Sequence, residues 1–359
     1  MHISDSLNHF LQTSGDADPH RIRLAGKEIC GYPAKFVADQ LEARKKQSRR
    51  LPTFCADPLT VFPPSLHLEQ CSSEATAEMK CELVRRWGTR FDQLIDLTAG
   101  LGVDTLAFSR IFNRVTATEP DEALREIASA NLQRLAQGNI RWSGNTAEAL
   151  LAEHPTADWL YIDPSRRADG RRVVLLESCS PDVIALRPVM LDCAPNVLIK
   201  AAPMLDLTLA LSALKEVAHV AVVSVGNECR ELLFHLIRGH IGEPEVICLN
   251  RLSDGTVQEF MFHPSEERAV EMECVEPMAY LFEPNASVLK AGAFKLAAAR
   301  FGLFRMDPST HLYTGAAPVD GFPGRTFRVV RPLGKKESGL RAGVIVRNYP
   351  MRAEEVAKK

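Results

Sequence analysis

Three short stretches hold residue types that could do chemistry. The first is Asp96-Leu97-Thr98-Ala99-Gly100-Leu101-Gly102-Val103-Asp104, an acid followed by Gly-x-Gly, between a short strand pattern and a helical pattern. Glycines there let the backbone turn tightly and let a ligand approach with no Cβ in the way. The second is Glu119, 23 residues after Asp96. An acid closing a second strand can accept both hydroxyls of a ribose. The third is Asp163-Pro164-Ser165-Arg166-Arg167, directly after Trp159-Leu160-Tyr161-Ile162.

The spacing of the first two suits either a dinucleotide or an adenosyl sulfonium. A dinucleotide loop wants a third glycine, and after Gly100 and Gly102 this chain has Thr105 in its place. Asp96 ahead of the glycines suits the cationic amino-acid end of adenosylmethionine and would repel a pyrophosphate. The expected cofactor is S-adenosyl-L-methionine. The expected contacts are Asp96, Thr98, Gly100, Gly102, Asp104, Glu119 and Asn145. Asn145 could meet the adenine edge, and it reads equally well as a turn asparagine.

Asp163, Pro164, Ser165 and Arg166 are the expected catalytic positions. Methyltransferases acting on amines of nucleic acids and glutamine use Asn/Asp-Pro-Pro-Tyr/Phe at this place. The carboxylate and the proline carbonyl accept hydrogen bonds from the target amine and aim its lone pair, so proximity and orientation supply the rate. Here Ser165 replaces the second proline and Arg166 the aromatic residue. An arginine plane can stack on a base or grip a phosphate. Arg167, Arg171, Lys200 and Asn227 are candidates for substrate or phosphate contact, since a basic loop at strand ends is where a phosphate backbone would pass. A buried-pair or capping role is equally open for Lys200 and Asn227.

The elements that must position these residues alternate. Strands are expected at Leu94–Leu97, Val115–Thr118, Ile140–Trp142, Trp159–Ile162, Val197–Ile199 and Ala221–Val225. Helices are expected at Asp104–Phe112, Asp121–Leu135 and Leu205–Val217. Such alternation implies a mostly parallel sheet covered on both faces, with ligands outside the carboxyl ends of its strands. Residues 1–88 read as a mostly helical region, with Glu74–Trp87 as a helix that starts at Ser73. After about residue 275 the pattern changes to a smaller α+β region, with a helix at Lys290–Phe301 and strands at Phe327–Val330 and Gly343–Val346.

Composition narrows the function classes. With 46% apolar and 25% charged residues the chain can bury a full core. The net charge is -2, yet Lys290 to Lys359 holds 14 Lys/Arg against 5 Asp/Glu, which points to a polyanion partner. A second basic run is Arg44-Lys45-Lys46-Gln47-Ser48-Arg49-Arg50, read as a phosphate contact or a solvated face. Nine cysteines include no Cys-x-x-Cys pair, so no metal site and no disulfide framework is expected. No signal segment and no membrane span is expected, and the expected location is the cytoplasm.

The ordered set Asp96, Gly100, Gly102, Glu119, Asn145 and Asp163-Pro164 resembles class I adenosylmethionine-dependent methyltransferases. Leu68–Thr76, Asp96–Asp104, Tyr161–Arg167 and Asn227–Leu232 together look like one bacterial family within that class. Its members carry a ferredoxin-like segment, which Glu283–Phe304 resembles, and a THUMP-like carboxyl-terminal domain, within which Arg347-Asn348-Tyr349-Pro350 falls. The resemblance implies an α/β fold with a Rossmann-like class I methyltransferase sheet at 89–275. It also implies a ferredoxin-like segment at 276–322 and a THUMP-like domain at 323–359 that is incomplete at Lys359. THUMP domains bind RNA, so it implies an RNA partner and methylation of a tRNA or rRNA base. Methylation of a small molecule or protein, and RNA binding without catalysis, are the alternatives. The oligomeric state is left open.

Overall fold

A computed structural model describes the chain except residues 1, 2, 16, 25, 167–175, 332–342, 345, 347–350, 358 and 359. Two compact units are present: residues 1–216 with 234–240, and residues 217–233 with 241–359.

The first unit carries a parallel sheet. Its strands are β1 (Gln93–Asp96), β2 (Arg114–Thr118), β3 (Ile140–Ser143), β4 (Trp159–Ile162) and β5 (Asn196–Ala201). They lie in the order β3-β2-β1-β4-β5, with every neighbouring pair parallel. Order reverses on either side of β1, and in open α/β sheets ligands bind at such a switch point. Strands β1 and β4 are buried on both faces, which is why Leu94-Ile95 of β1 and all four residues of β4 are apolar.

Helices in this unit start where short polar side chains offer caps. Ser73 Oγ accepts the Thr76 amide at 3.2 Å and opens Glu74–Trp87. Asp121 accepts the Leu124 amide at 3.1 Å and opens Glu122–Leu135. The expected helix Leu205–Val217 is shorter, Leu207–Ala213, because Asp206 caps it and Glu216 adopts φ +63° before the next strand begins. The amino-terminal region is largely helical, with Leu7, Leu11, Val37, Leu41 and Val61 in one apolar cluster. Buried Asn131 ties it down by bonding both the amide and the carbonyl of Val61, at 3.0 and 2.8 Å.

The second unit contains β6 (Val217–Val225), the first part of β7 (Glu228–Ile237), β8 (Glu245–Arg251) and β9 (Val257–Phe262). The pairing of β6 with β8 is parallel and that of β8 with β9 antiparallel. The remainder of β7 belongs to the first unit, where buried His235 is stacked between Trp87 and Trp159.

A four-stranded antiparallel sheet follows: β10 (Tyr280–Pro284), β11 (Phe304–Arg305), β12 (Tyr313–Gly315) and β13 (Gly324–Arg328), in the order β11-β12-β10-β13. One face packs Phe282 and Tyr313 against Ala298, Leu303 and Phe322. The expected helix Lys290–Phe301 is two helices, Ala286–Ala291 and Phe294–Ala299. Gly292 at φ +78° ends the first, a left-handed cap that glycine accepts without strain. The expected strand Phe327–Val330 begins earlier and is β13. Gly343, Val344 and Val346 are not in a strand, and Ile345 and Arg347–Pro350 lie outside the described residues.

Candidate active site

The loop after β1 is organised from beneath by Asp96. This side chain is fully buried. Its Oδ1 accepts the Thr98 amide at 3.1 Å, and its Oδ2 accepts the Thr105 hydroxyl at 2.6 Å. Burial pushes the carboxyl up to about 7, although both hydrogen bonds pull the other way. Both oxygens of Asp96 are thus turned to partners within the chain. Asp96 clamps the two ends of the glycine loop, because a carboxylate sealed from water must be satisfied from within.

Above it the loop crosses to β2. The Ala99 amide donates to the Thr118 carbonyl at 2.9 Å, and the Gly100 amide donates to Glu119 Oε2 at 3.1 Å. Glu119 Oε1 accepts the Asp121 amide at 2.9 Å. Gly100 has φ +54°, and a Cβ there would point into open space. Gly102 has φ +85°, and a Cβ there would stand 2.8 Å from Leu132 Cδ2. The two glycines thus answer different needs, one leaving room above the loop and the other close packing beneath it. A half-buried acid and an uncrowded glycine turn fit a cationic nucleoside with a ribose diol.

Asp104 has partners within the chain as well. It is buried, accepts hydroxyls of Ser72 at 2.7 Å and Tyr161 at 2.8 Å, and pairs with Lys80 at 3.2 Å. Burial opposes its charge, but Lys80, then Lys200 and the two hydroxyls, hold its carboxyl below the ordinary value. Lys80 is itself fully buried. The sequence reading missed it, although a lysine amid Ala77, Met79, Cys81 and Val84 on the buried side of a helix was a legible signal.

Thr98 joins the glycine loop to the Asp163 stretch: its hydroxyl accepts the Asp163 amide at 2.7 Å. Ile162 pairs with Ile199 in parallel register, so Asp163 and Lys200 are neighbours on adjacent strands. Asp163 Oδ2 accepts from the Lys200 ammonium. Lys200 is thus the member of a pair, the alternative that the sequence left open. Pro164 is half-buried, and exposed Ser165 donates to the Ser180 carbonyl at 3.1 Å. Arg166 continues a short pairing with Cys179, while Arg167 and Arg171 lie outside the described residues.

Two further candidates have partners of their own. Asn145 donates its side-chain amide to Glu153 at 3.1 Å. Asn227, in the second unit, has φ +63° and accepts the Ala286 amide at 2.8 Å, so it organises a turn there. The basic run also changes meaning. Arg44 donates to the carbonyls of Pro58 and Thr60, and Arg50 to those of Leu68 and Cys71, so both are spent holding the chain together. Arg125 was not foreseen. It donates to the Glu119 carbonyl at 2.8 Å and covers Gly144, where a Cβ would lie 2.9 Å from its guanidinium.

Against known proteins, residues 280–323 match a family described as a ferredoxin-like domain. A crystal structure of a candidate methyltransferase from Porphyromonas gingivalis W83 superposes with a TM-score of 0.86 at 29% identity, covering 100% of this chain and 92% of that one. The fold is methyltransferase-like. An rRNA methylase from Streptococcus thermophilus is more distant: TM-score 0.34 and 16% identity over 45% of this chain and 94% of that one. No curated protein matches the sequence. The methyltransferase-like sheet carries Asp96, Thr98, Glu119 and Asp163 at the carboxyl ends of β1, β2 and β4. Among the described residues no group of three or more His, Cys, Asp or Glu could hold a metal, and no helix is long and apolar enough to cross a membrane.

Proposed function

We propose that the chain is an S-adenosylmethionine-dependent methyltransferase whose acceptor is an amine of an RNA base. The observation that carries this reading is the double use of Thr98. Its amide is held by Asp96 beneath the glycine loop, and its hydroxyl holds the Asp163 amide. A cofactor loop and an acceptor-binding stretch are thereby locked together, and methyl transfer needs that mutual placement.

When bound, adenosylmethionine supplies a methyl group already activated by its sulfonium. The residues of the chain bind and orient. Glu119 accepts the ribose hydroxyls while it keeps the Gly100 amide in place. The Asp163 carboxylate and the Pro164 carbonyl accept hydrogen bonds from the target amine and turn its lone pair toward the methyl group. Held there, the cofactor would supply the methyl and would be released as adenosylhomocysteine, and the amine proton would pass to solvent. The RNA acceptor is supported by the excess of 9 positive charges from Lys290 onward.

Two measurements test the reading. Calorimetry with adenosylmethionine should give one site per chain. Mass spectrometry of nucleosides from total RNA of a strain lacking the gene should show the loss of one methylated base. Binding without any lost nucleoside would move the acceptor to a protein or small molecule; no binding would leave a chain without catalysis.

A further inference from the structure

We propose that Lys200 is a positioning residue for the acceptor step, holding the Asp163 carboxylate so that its second oxygen faces the target amine. This rests on the reading of the site as a methyltransferase centre.

The register of the sheet carries the argument. Because Ile162 pairs with Ile199, the next residues on β4 and β5 are held beside one another by backbone hydrogen bonds, independent of side-chain choice. The pair they make is partly shielded, with Lys200 12% and Asp163 29% exposed. Ion pairs at a solvated surface lose most of their worth to screening and to side-chain freedom, and a half-buried pair loses less. The Asp163 backbone is already fixed by Thr98 Oγ1. Rotation of the carboxylate is then the remaining freedom, and the bond from Lys200 to Oδ2 removes it. Among the described residues, Oδ1 has no hydrogen-bond partner, which leaves it for an acceptor.

The surrounding charges say why a cation belongs there. Asp96 feels the charges of Asp104 and Asp163, so three carboxyl groups share this end of the sheet. Lys80 faces Asp104 from the helix Glu74–Trp87, and Lys200 acts on Asp104 and on the Cys71 thiol as well as pairing with Asp163. Without Lys200, Asp163 would stand near two acids with no opposite charge in contact.

The test compares wild type, K200M and K200R in transfer of labelled methyl groups to total RNA from a strain lacking the gene. A second measurement is the crystal structure of K200M with adenosylhomocysteine. K200M should lower kcat by about thirtyfold or more, a loss in line with a misplaced reacting group. KM for adenosylmethionine should stay within about threefold, and K200R should recover most of the rate. In the crystal the Asp163 carboxylate should be turned from its wild-type orientation. An unmoved Asp163 overturns the proposal, as does K200M with wild-type kcat. A wild-type protein that binds adenosylmethionine but methylates no RNA overturns the RNA reading instead, and the K200M crystal then decides the role of Lys200.

Discussion

Glu119 Oε2 accepts the amide of Gly100 at 3.1 Å, so the acid that closes β2 is bonded to the turn that closes β1. That bond shapes the loop before any ligand arrives. Its removal therefore acts on binding and folding together. Glu119→Ala should weaken adenosylmethionine binding by about tenfold to a hundredfold, the scale of lost hydrogen bonds to a charged group. Glu119→Gln should retain part of the affinity, because its amide oxygen still accepts. Isothermal titration calorimetry of both variants measures this, and equal affinities for Glu119→Ala and wild type would remove Glu119 from the site.

Gly102 should tolerate no side chain. Its φ of +85° is costly for any L-residue, and a Cβ would meet Leu132 Cδ2 at 2.8 Å. Gly102→Ala should cost about 1–3 kcal/mol in urea unfolding. Adding Leu132→Ala relieves the contact but leaves the backbone strain and opens a cavity. The double variant should therefore be no more stable than Gly102→Ala, and full recovery would show that the contact alone mattered.

Asp96 predicts a pH dependence of stability. Burial raises its carboxyl from the ordinary 3.8 to about 7. Between those values the folded chain keeps a proton that the unfolded chain has lost. Stability from this group is then present at low pH and declines as pH rises toward 7. Asp96→Asn, which cannot ionise, should flatten that part of the profile of unfolding free energy against pH. An unchanged slope between pH 5 and 7 counts against a shifted Asp96.

Lys80 and Asp104 form a buried pair, with side chains 0% and 10% exposed. Lys80→Met leaves a carboxylate with two hydroxyl donors and no cation in contact. The expected loss is about 3–5 kcal/mol, far more than a surface pair would cost. Lys80→Met combined with Asp104→Asn should recover part of it. Thermal or chemical denaturation gives both values, and additive losses would show that the two residues are not coupled.

Much of the frame was legible in the chain. The short strand patterns Leu94–Leu97 and Trp159–Ile162, the helical spacing in Glu122–Leu135 and the glycine turn between Asp96 and Asp104 each depend on neighbours a few residues away. Local periodicity records such constraints directly. The break at Gly292 was equally local, yet the alanine-rich run around it concealed it. The basic run at 44–50 misled, because side-chain charge says nothing of which carbonyls lie within reach. Arg44 and Arg50 meet carbonyls 13–16 and 18–21 residues away.

By itself, then, the sequence determined the succession of strands from β1 to β6, the turn that needs two glycines and the acids that close β1, β2 and β4. Only the tertiary structure decided what each acid does. Asp96 turns inward to Thr98 and Thr105, Asp104 meets Ser72 and Tyr161 across 32 and 57 residues, and Asp163 meets Lys200 across 37. A carboxylate takes whichever donors the strand register and helix packing bring near, and those distances in space are not written in distances along the chain.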